Sequence, residues 1–451
     1  MPPFEVKIEK LIYGGDGLAH HEGATVFVPF VLPAERVAAL PIEQKKKFIR
    51  AQPETILEAS PERIAARCAH FGVCGGCNYQ HIPYSQQLEF KAEILRETLR
   101  RIGRIDWTGA IATHASPPWE YRNRAQWKIR PAEGAALDVD ADEDDARQEA
   151  GRAKKEQAKL NIGYFRANST ALCAVEDCSI LAPSLLTALL ALRQALARGA
   201  LPLALREIEV FGAEATAASP AKLMMTATFA GFPSRAAEVA AEFRSIVPQI
   251  ESLLFHDPGR DRMELFGPGF LEYEAGGEVY RVGHFSFFQV NRFLAGAMAE
   301  EVAQKDEGGR LALDLFAGVG LFSPPLGGRF ERVVAVEANP AASRDLENNV
   351  RGKGSIEVRN SDVDRFLERY KEKPDLVVLD PPRAGMTPDG MRRLARIGPA
   401  RITYVSCDPS TLARDLAVLV ATGYELTELK LFDLFPQTFH METIARLRRR
   451  E

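Results

Sequence analysis

Five short apolar runs, separated by helical stretches, dominate the sequence after residue 310 and restrict the folds available to it. The runs span residues 311–316, 332–337, 355–358, 375–379 and 402–406. Strands that alternate with helices in this way build a doubly wound sheet of parallel strands covered by helices. The pattern therefore predicts an α/β fold, and such sheets bind ligands at the carboxyl ends of their strands.

The rest of the chain predicts two further domains. Its 451 residues, 46% hydrophobic and 26% charged, are typical of a globular protein with two or three domains. Short apolar runs punctuated by Gly and Pro over residues 4–57 predict a small β-barrel, which is either a structural cap or an oligonucleotide-binding module. We divide the chain into a barrel at 1–59, a central domain at 60–284 and the α/β domain at 285–451.

Charge and hydropathy bound the location of the protein and its partners. No run of about eighteen apolar residues is present and the amino terminus lacks an apolar signal core, so we predict a cytoplasmic protein without a membrane span. The net charge is −4, and the nine acidic and five basic residues between Glu133 and Lys159 account for it. The segment at about 132–158 is rich in Ala, Asp, Glu and Lys. We predict that this segment is a flexible surface insertion, so any contact with nucleic acid relies on local basic patches.

One such patch follows residue 120. Cations and aromatics alternate there in Tyr121, Arg122, Asn123, Arg124, Trp127, Lys128 and Arg130. This composition suits stacking on unpaired bases and binding of phosphates, and an ordinary amphipathic strand is the alternative.

Acidic residues follow four successive predicted strands. A glycine-rich loop at 314–320 follows the first strand, and Glu337 ends the second, where a carboxylate can bind ribose hydroxyls. A nicotinamide site or an empty tight turn would look similar. Asp362 follows the third strand and Asp380 ends the fourth. Such acids would repel the phosphates of a dinucleotide, so they favour the sulfonium cation S-adenosylmethionine, although Asp362 could simply start the next helix.

A cysteine and a glutamate complete the predicted site. Cys407 follows the fifth strand, and Glu442 comes later in the chain. A thiolate can add to carbon 6 of uracil and make carbon 5 nucleophilic, and a carboxylate can then remove the carbon 5 proton. A single cysteine is commonly a buried hydrophobe and a single glutamate a solvated charge. His440 is an alternative acid or base.

Three of the six cysteines lie within ten residues. Cys68, Cys74 and Cys77 have the spacing C-x5-C-x2-C, which is typical of zinc or iron–sulfur ligands. A fourth ligand is needed, and Cys173 and Cys178 are the candidates. Spacing alone does not distinguish the two metals.

Five motifs together resemble the RNA uridine-5-methyltransferase family over nearly the whole chain. They are Phe287 to Asn291, Asp314 to Gly320, Asp380 to Arg383, Ser406 to Pro409 and His440 to Glu442. The resemblance implies a class I Rossmann-like methyltransferase domain, an OB-like amino-terminal barrel similar to a TRAM domain, and a central α+β domain that holds an iron–sulfur cluster and binds RNA.

The resemblance also implies roles for individual residues. Cys407 is the nucleophile and Glu442 the base, and the following residues contact S-adenosylmethionine or lie beside it: Gln289, Phe316, Glu337, Asp362 and Asp380. Cys178 becomes the fourth ligand of a [4Fe-4S] cluster that stabilises the fold, which leaves Cys173 without a role. Two positions depart from the family pattern: Asp408 replaces a common Asn, and Leu321 replaces a polar residue.

We therefore predict a cytoplasmic monomer that methylates carbon 5 of uridine in structured RNA, with 23S ribosomal RNA as the substrate. The same reaction on the transfer RNA T-loop is the alternative. A non-catalytic iron–sulfur protein that binds RNA or assists assembly is a third hypothesis, and Cys407 and Glu442 argue against it because a binding module needs neither.

Overall fold

The computed structural model describes residues 2–131, 159–217, 219–303 and 308–450. Two compact units make up the chain. The first contains Met1–Gly72, Cys77–Tyr121 and Glu272–Glu451, and the second contains Val73–Gly76 and Arg122–Leu271. The predicted insertion at 132–158 lies outside the described residues, and the division into three domains stays a prediction.

A six-stranded sheet forms the amino-terminal part of the first unit, in the order β1-β5-β6-β4-β3-β2. Its strands are β1 (Phe4–Lys7), β2 (Lys10–Leu11), β3 (Gly17–His21), β4 (Ala24–Val28), β5 (Arg36–Gln44) and β6 (Phe48–Glu58). Alternate side chains such as Val26 and Val28 point into a separate apolar core. This sheet agrees with the β-rich amino-terminal domain that the sequence predicts. Helix α1 (Tyr84–Thr98), a π-helical turn (Leu99–Gly103) and strand β7 (Ile111–His114) follow it.

The second unit is an α+β layer structure. Its elements are β8 (Arg124–Pro131), β9 (Leu160–Phe165), β10 (Leu172–Ala174), α2 (Pro183–Ala197), β11 (Leu205–Ala213), β12 (Lys222–Phe229), α3 (Ala236–Ile246), β13 (Ile250–Asp257) and β14 (Arg262–Phe266). The strands form one sheet in the order β10-β9-β8-β11-β12-β13-β14. Leu189 of α2 and Phe243 of α3 belong to the core of this unit.

The remaining elements of the first unit alternate as the sequence predicts. They are β15 (Phe270–Ala275), β16 (Glu278–Gly283), α4 (Ala295–Val302), β17 (Gly309–Leu315), α5 (Ser323–Gly327), β18 (Phe330–Glu337), α6 (Pro340–Asn349), β19 (Ile356–Asn360), α7 (Val363–Arg369), β20 (Leu376–Leu379), α8 (Pro388–Ile397), β21 (Arg401–Ser406), α9 (Pro409–Ala421), β22 (Tyr424–Phe432) and β23 (Glu442–Arg449). Among the described residues, no helix is long and apolar enough to cross a membrane.

The eight-stranded sheet of the first unit has the order β19-β18-β17-β20-β21-β23-β22-β7. Strands β19, β18, β17, β20 and β21 are parallel, and β23 lies antiparallel between β21 and β22. All four residues of β20 are buried, as expected for a parallel strand covered on both faces. Strand order reverses between β17 and β20, which marks the crevice where such sheets bind ligands. The predicted doubly wound fold is thereby confirmed.

Candidate active site

The loop after β17 has an unusual backbone conformation at three positions. Phe316 has a φ of 63°, which is uncommon for a residue other than glycine. Gly318 has a φ of 57°, and a Cβ there would meet nothing within 4 Å, so this part of the loop faces open space. Gly320 has a φ of 91°, a backbone conformation that strongly favours glycine, and a Cβ there would lie 2.4 Å from Leu346 Cδ1.

Glu337, at the end of β18, is held by two backbone donors. The amide of Gly318 donates to its Oε2 at 2.8 Å, and the amide of Asn339 donates to its Oε1 at 2.6 Å. Each carboxylate oxygen has a second lone pair for a ligand. The glycine loop and Glu337 are therefore brought together, as the sequence predicts for a ribose site.

Two carboxyl groups lie at the strand-order reversal, Asp314, which is buried, and Asp380, which is half-buried. Burial raises the pKa of Asp314 to about 7, and the charge of Glu337 adds to this rise. A hydrogen bond from Ser323 Oγ, at 2.5 Å, lowers the pKa and so opposes the shift. Burial and the charge of Asp314 raise the pKa of Asp380 to about 7. Among the described residues, Asp314 Oδ1 has no hydrogen-bond partner. A cation bound beside this pair would stabilise both carboxylates, because a buried charge is costly unless it is paired.

The other predicted cofactor residues have less specific environments. Asp362 is exposed and caps α7 by accepting a hydrogen bond from the amide of Arg365 at 3.1 Å, as the helix-start alternative requires. Gln289 is buried and belongs to the segment that connects β16 to α4. Leu321 is buried, and its carbonyl accepts a hydrogen bond from the hydroxyl of Tyr280 at 3.1 Å. Cofactor contacts at Gln289, Phe316 and Asp362 stay predictions.

The candidate nucleophile occupies a tight turn between β21 and α9. Asp408, the residue after Cys407, caps α9: its Oδ1 accepts hydrogen bonds from the amides of Ser410 at 2.8 Å and Thr411 at 2.9 Å. The hydroxyl of Ser406 donates to the carbonyl of Asp408 at 3.0 Å and accepts from its amide at 3.2 Å. The backbone on both sides of Cys407 is thus fixed by hydrogen bonds.

The surroundings of Cys407 disfavour the thiolate in the absence of ligand. Burial and the carboxylates of Glu442 and Asp380 raise the pKa of Cys407 to about 11. The positive charge of Arg383 opposes this shift. Since only the thiolate is a good nucleophile, a positive charge near the thiol would activate it.

Strand register places the candidate base opposite the nucleophile. Ser406 of β21 pairs with Thr443 of β23 in an antiparallel ladder. Cys407 directly follows Ser406, and Glu442 directly precedes Thr443, so the two residues lie at the same end of the two strands. Glu442 is buried. Burial and the charge of Asp380 raise its pKa well above the usual range for glutamate, although Arg383 opposes the shift. The structure therefore brings Cys407, Glu442 and Asp380 together.

The segment 433–441, which precedes Glu442 and is called the base segment below, is fixed by buried polar groups. Lys91 of α1 donates to Asp433 Oδ1 at 2.6 Å, and both side chains are 0% exposed. Gln87 Nε2 donates to Gln437 Oε1 at 3.1 Å, and Gln87 Oε1 accepts from the Gln437 amide at 2.9 Å. Asn291 Nδ2 donates to the carbonyl of Leu434 at 3.2 Å.

Comparisons with known proteins identify the family. The family model described as tRNA (Uracil-5-)-methyltransferase matches residues 344–450, and the TRM5/TYW2 methyltransferase domain matches residues 293–387. An uncharacterized RNA methyltransferase of Aquifex aeolicus is 31% identical over 99% of this chain and 98% of its own. The 23S rRNA (uracil(1939)-C(5))-methyltransferase RlmD of Alkalilimnicola ehrlichii is 32% identical over 98% of this chain and 96% of its own. The chain belongs to the RNA uracil-5-methyltransferase family.

A solved structure shares the fold of this family member. The Pyrococcus abyssi tRNA (uracil-54, C5)-methyltransferase, in complex with S-adenosyl-L-homocysteine, aligns with a TM-score of 0.71 at 24% identity, covering 98% of this chain and 100% of its own. Members of the RNA uracil-5-methyltransferase family are enzymes, so the hypothesis of a non-catalytic protein is not retained.

Sequence reasoning about this family member missed three groups at the site. Arg383 is within the Asp-Pro-Pro-Arg motif, but the motif alone does not predict that its charge lowers the pKa of Cys407. Asn291 ends the Phe-x-Gln-x-Asn motif, and it holds the base segment. Lys91 carried no signal, because a lysine on an amphipathic helix is ordinarily exposed.

The predicted stacking patch is wrong for its two aromatic residues. Tyr121 and Trp127 are both 0% exposed, so neither can stack on RNA bases. Alternation along β8 turns Trp127 into the core, as the amphipathic-strand alternative requires. The cations Lys128 and Arg130 lie over the ring of Phe165, with 5.4 and 5.7 Å to its centroid.

The candidate cluster ligands divide between the two units. Cys68 and Cys77 belong to the first unit and Cys74 and Cys178 to the second, and all four are partly exposed, whereas Cys173 is buried. In the second unit, the hydroxyl of Tyr164 lies 3.9 Å from Cys178 Sγ. Within the described ranges, no group of three or more His, Cys, Asp and Glu side chains is arranged to hold a metal ion. The [4Fe-4S] cluster therefore stays a prediction.

Proposed function

We propose that this enzyme methylates carbon 5 of a uridine in 23S ribosomal RNA with S-adenosylmethionine as the methyl donor. The observation that carries the proposal is the register of β21 and β23, which pairs Ser406 with Thr443 and so sets the next residues, Cys407 and Glu442, at the same end of the two strands. A partly buried thiol and a buried carboxyl at this end are the two groups that substitution at a pyrimidine carbon requires.

The proposed reaction uses these groups in order. The Cys407 thiol loses its proton to solvent, and the thiolate adds to carbon 6 of uracil. Carbon 5 of the resulting enolate then attacks the methyl group and releases S-adenosylhomocysteine. The Glu442 carboxylate takes the proton from carbon 5, and the bond between sulfur and carbon 6 breaks to restore the aromatic ring and the thiolate.

The donor set of the crevice fits S-adenosylmethionine, which supplies an electrophilic methyl group on a sulfonium cation. Glu337 is placed to bind the ribose, and the open space at Gly318 leaves room for the ligand. The unpartnered Asp314 Oδ1 and the raised pKa values of Asp314 and Asp380, about 7 each, indicate carboxyl groups that a nearby cation would stabilise. Gln289, Phe316 and Asp362 complete the proposed set of contacts.

The pKa of Cys407 gives a pH prediction. Without ligand, alkylation of Cys407 by iodoacetamide should rise with pH toward a midpoint near its pKa of about 11. A sulfonium cation favours the thiolate, so S-adenosylmethionine should lower the midpoint by about one pH unit. S-adenosylhomocysteine, which lacks the charge on sulfur, should lower it less. Mass spectrometry of the peptide that contains Cys407 measures the midpoint, and equal midpoints with both ligands would contradict the electrostatic activation.

The choice of 23S rRNA is supported by the relatives that match nearly the whole chain. RlmD of Alkalilimnicola ehrlichii, of Shewanella amazonensis and of Salmonella typhimurium are named as 23S rRNA (uracil(1939)-C(5))-methyltransferases, and they are 31% or 32% identical to this chain. The Pyrococcus abyssi structure supports the alternative, the uridine of the tRNA T-loop, but its 24% identity indicates only a common fold.

Unmodified transcripts of 23S rRNA and tRNA test the substrate. The purified enzyme and S-adenosylmethionine should produce 5-methyluridine in the ribosomal transcript and not in the tRNA, as measured by nucleoside mass spectrometry. Methylation of tRNA alone would establish the alternative, and methylation of neither would contradict the proposed function.

We further propose that Cys68, Cys74, Cys77 and Cys178 hold a [4Fe-4S] cluster. The donor set is suitable, since four partly exposed cysteines are present and cysteine thiolates are the usual ligands of such clusters. The cluster would stabilise the fold, and no step of the reaction depends on it. The amino-terminal sheet is proposed to be a TRAM domain, and the enzyme to act as a cytoplasmic monomer.

Metal analysis checks the cluster. Protein purified without oxygen should be brown and contain about four iron atoms per chain. The substitution Cys178→Ser should lower the iron content, and Cys173→Ser should leave it unchanged, which provides a matched control. Stoichiometric zinc without iron would contradict the cluster.

A further inference from the structure

A turn of the amino-terminal sheet reaches the nucleophile. Tyr13 lies between β2 and β3, and its hydroxyl donates to Asp408 Oδ2 at 3.0 Å. The two residues are 395 positions apart, so this hydrogen bond joins the amino-terminal sheet to the turn that carries Cys407. Burial and the Asp408 carboxylate both raise the pKa of Tyr13, so its hydroxyl remains a donor.

Asp408 uses its two oxygens for different partners. Oδ1 accepts both helix-capping hydrogen bonds, from the amides of Ser410 and Thr411. Oδ2 accepts the hydrogen bond from Tyr13. The carboxylate is therefore held from two sides, and its backbone is tied to the hydroxyl of Ser406 across Cys407. Loss of the Tyr13 hydroxyl would leave the Asp408 carboxylate with only its hydrogen bonds to the amides of α9.

The same turn contacts the base segment. The ring of Tyr13 meets Phe439 edge-on, with centroids 5.6 Å apart and an interplanar angle of 86°. Gly15 has a φ of 93°, and a Cβ there would lie 3.2 Å from Phe439 Cδ1, so the backbone approaches this ring closely. One turn thus lies against the nucleophile turn and against the segment that leads to Glu442.

We propose that Tyr13 is a positioning residue for the reactive pair: its hydroxyl fixes Asp408, and through it the backbone at Cys407, while its ring supports the base segment. The amino-terminal sheet is then part of the active-site scaffold rather than only a cap. This inference rests on the proposed function, because it concerns the placement of the proposed nucleophile.

The substitution Tyr13→Phe tests the proposal because it keeps the ring and removes the hydroxyl. At saturating RNA, kcat and the rate of covalent trapping by RNA containing 5-fluorouridine should both fall about ten-fold. KM for RNA and S-adenosylmethionine should change less than about two-fold. Tyr370→Phe is the matched control, since among the described residues the Tyr370 hydroxyl has no hydrogen-bond partner. Thermal unfolding checks that all variants are folded.

A double-mutant cycle distinguishes positioning from independent effects. Asp408→Ala removes both the helix cap and the contact with Tyr13, so adding Tyr13→Phe to it should slow trapping no further. Multiplicative losses, an unchanged trapping rate in Tyr13→Phe, or a loss confined to RNA affinity would each overturn the proposal. Failure of the unsubstituted enzyme to form any trapped complex would instead contradict the proposed function.

Discussion

Replacing Cys407 by alanine should eliminate covalent trapping of RNA containing 5-fluorouridine and lower methylation by on the order of 10⁴-fold or more. Fluorine at carbon 5 cannot leave as a proton does, so the reaction stops with sulfur still bound to carbon 6. Without the thiol at the end of β21, no bond to carbon 6 forms and carbon 5 is not activated. A denaturing gel measures the trapped complex, and radiolabelled methyl transfer measures activity.

The control for this substitution is Cys173→Ala. Cys173 is a buried cysteine of the second unit, and we assign it no role in the reaction. Trapping by this variant should equal that of the unsubstituted enzyme. Trapping by Cys407→Ala at the same rate would remove Cys407 as the nucleophile.

The substitution Glu442→Gln should halt the reaction after methyl transfer, before the carbon 5 proton is removed. Methyl transfer to carbon 5 can still occur, but the carbon 5 proton then has no acceptor, and methylated RNA should remain attached to Cys407. Loss of a general base typically lowers turnover by about 10² to 10⁴-fold. The adduct should accumulate on ordinary uridine RNA, where labelled S-adenosylmethionine makes it visible on a denaturing gel.

Glutamine is a close mimic of Glu442 in the ligand-free enzyme. Burial raises the pKa of this carboxyl and so favours its uncharged form, and an amide is likewise uncharged. Folding should therefore be little affected. Glu425→Gln, on the exposed face of β22, serves as the control and should turn over normally. Normal turnover in Glu442→Gln would show that another group removes the proton.

The parts of the structure that depend on local patterns were predictable. Strands β17, β18, β19, β20 and β21 lie within two residues of the predicted bounds. For β20 and β21 the reason is burial, because buried parallel strands produce continuous apolar runs. The glycine loop and Glu337 could also be placed, since both lie at strand ends.

Long-range contacts were not predictable in the same way. The opposition of Cys407 and Glu442 depends on the register of β21 with β23, which no local pattern encodes. The burial of Lys91 depends on Asp433, and that of Trp127 on which face of β8 meets the core. Composition suggested an exposed side chain at both positions, but tertiary packing buries both Lys91 and Trp127.

The buried pair of Lys91 and Asp433 has a consequence for the order in which the chain folds. The two residues are 342 positions apart, and the first unit is assembled from three separate segments. On the ribosome, α1 is synthesised early, but Lys91 cannot be buried with its partner until Asp433 has been synthesised. Contacts between such distant positions form slowly, because a long loop has to close first. A growing chain therefore brings the proposed reactive pair, Cys407 and Glu442, together only after β23 has been synthesised, and we expect an unfinished chain to lack methyl-transfer activity.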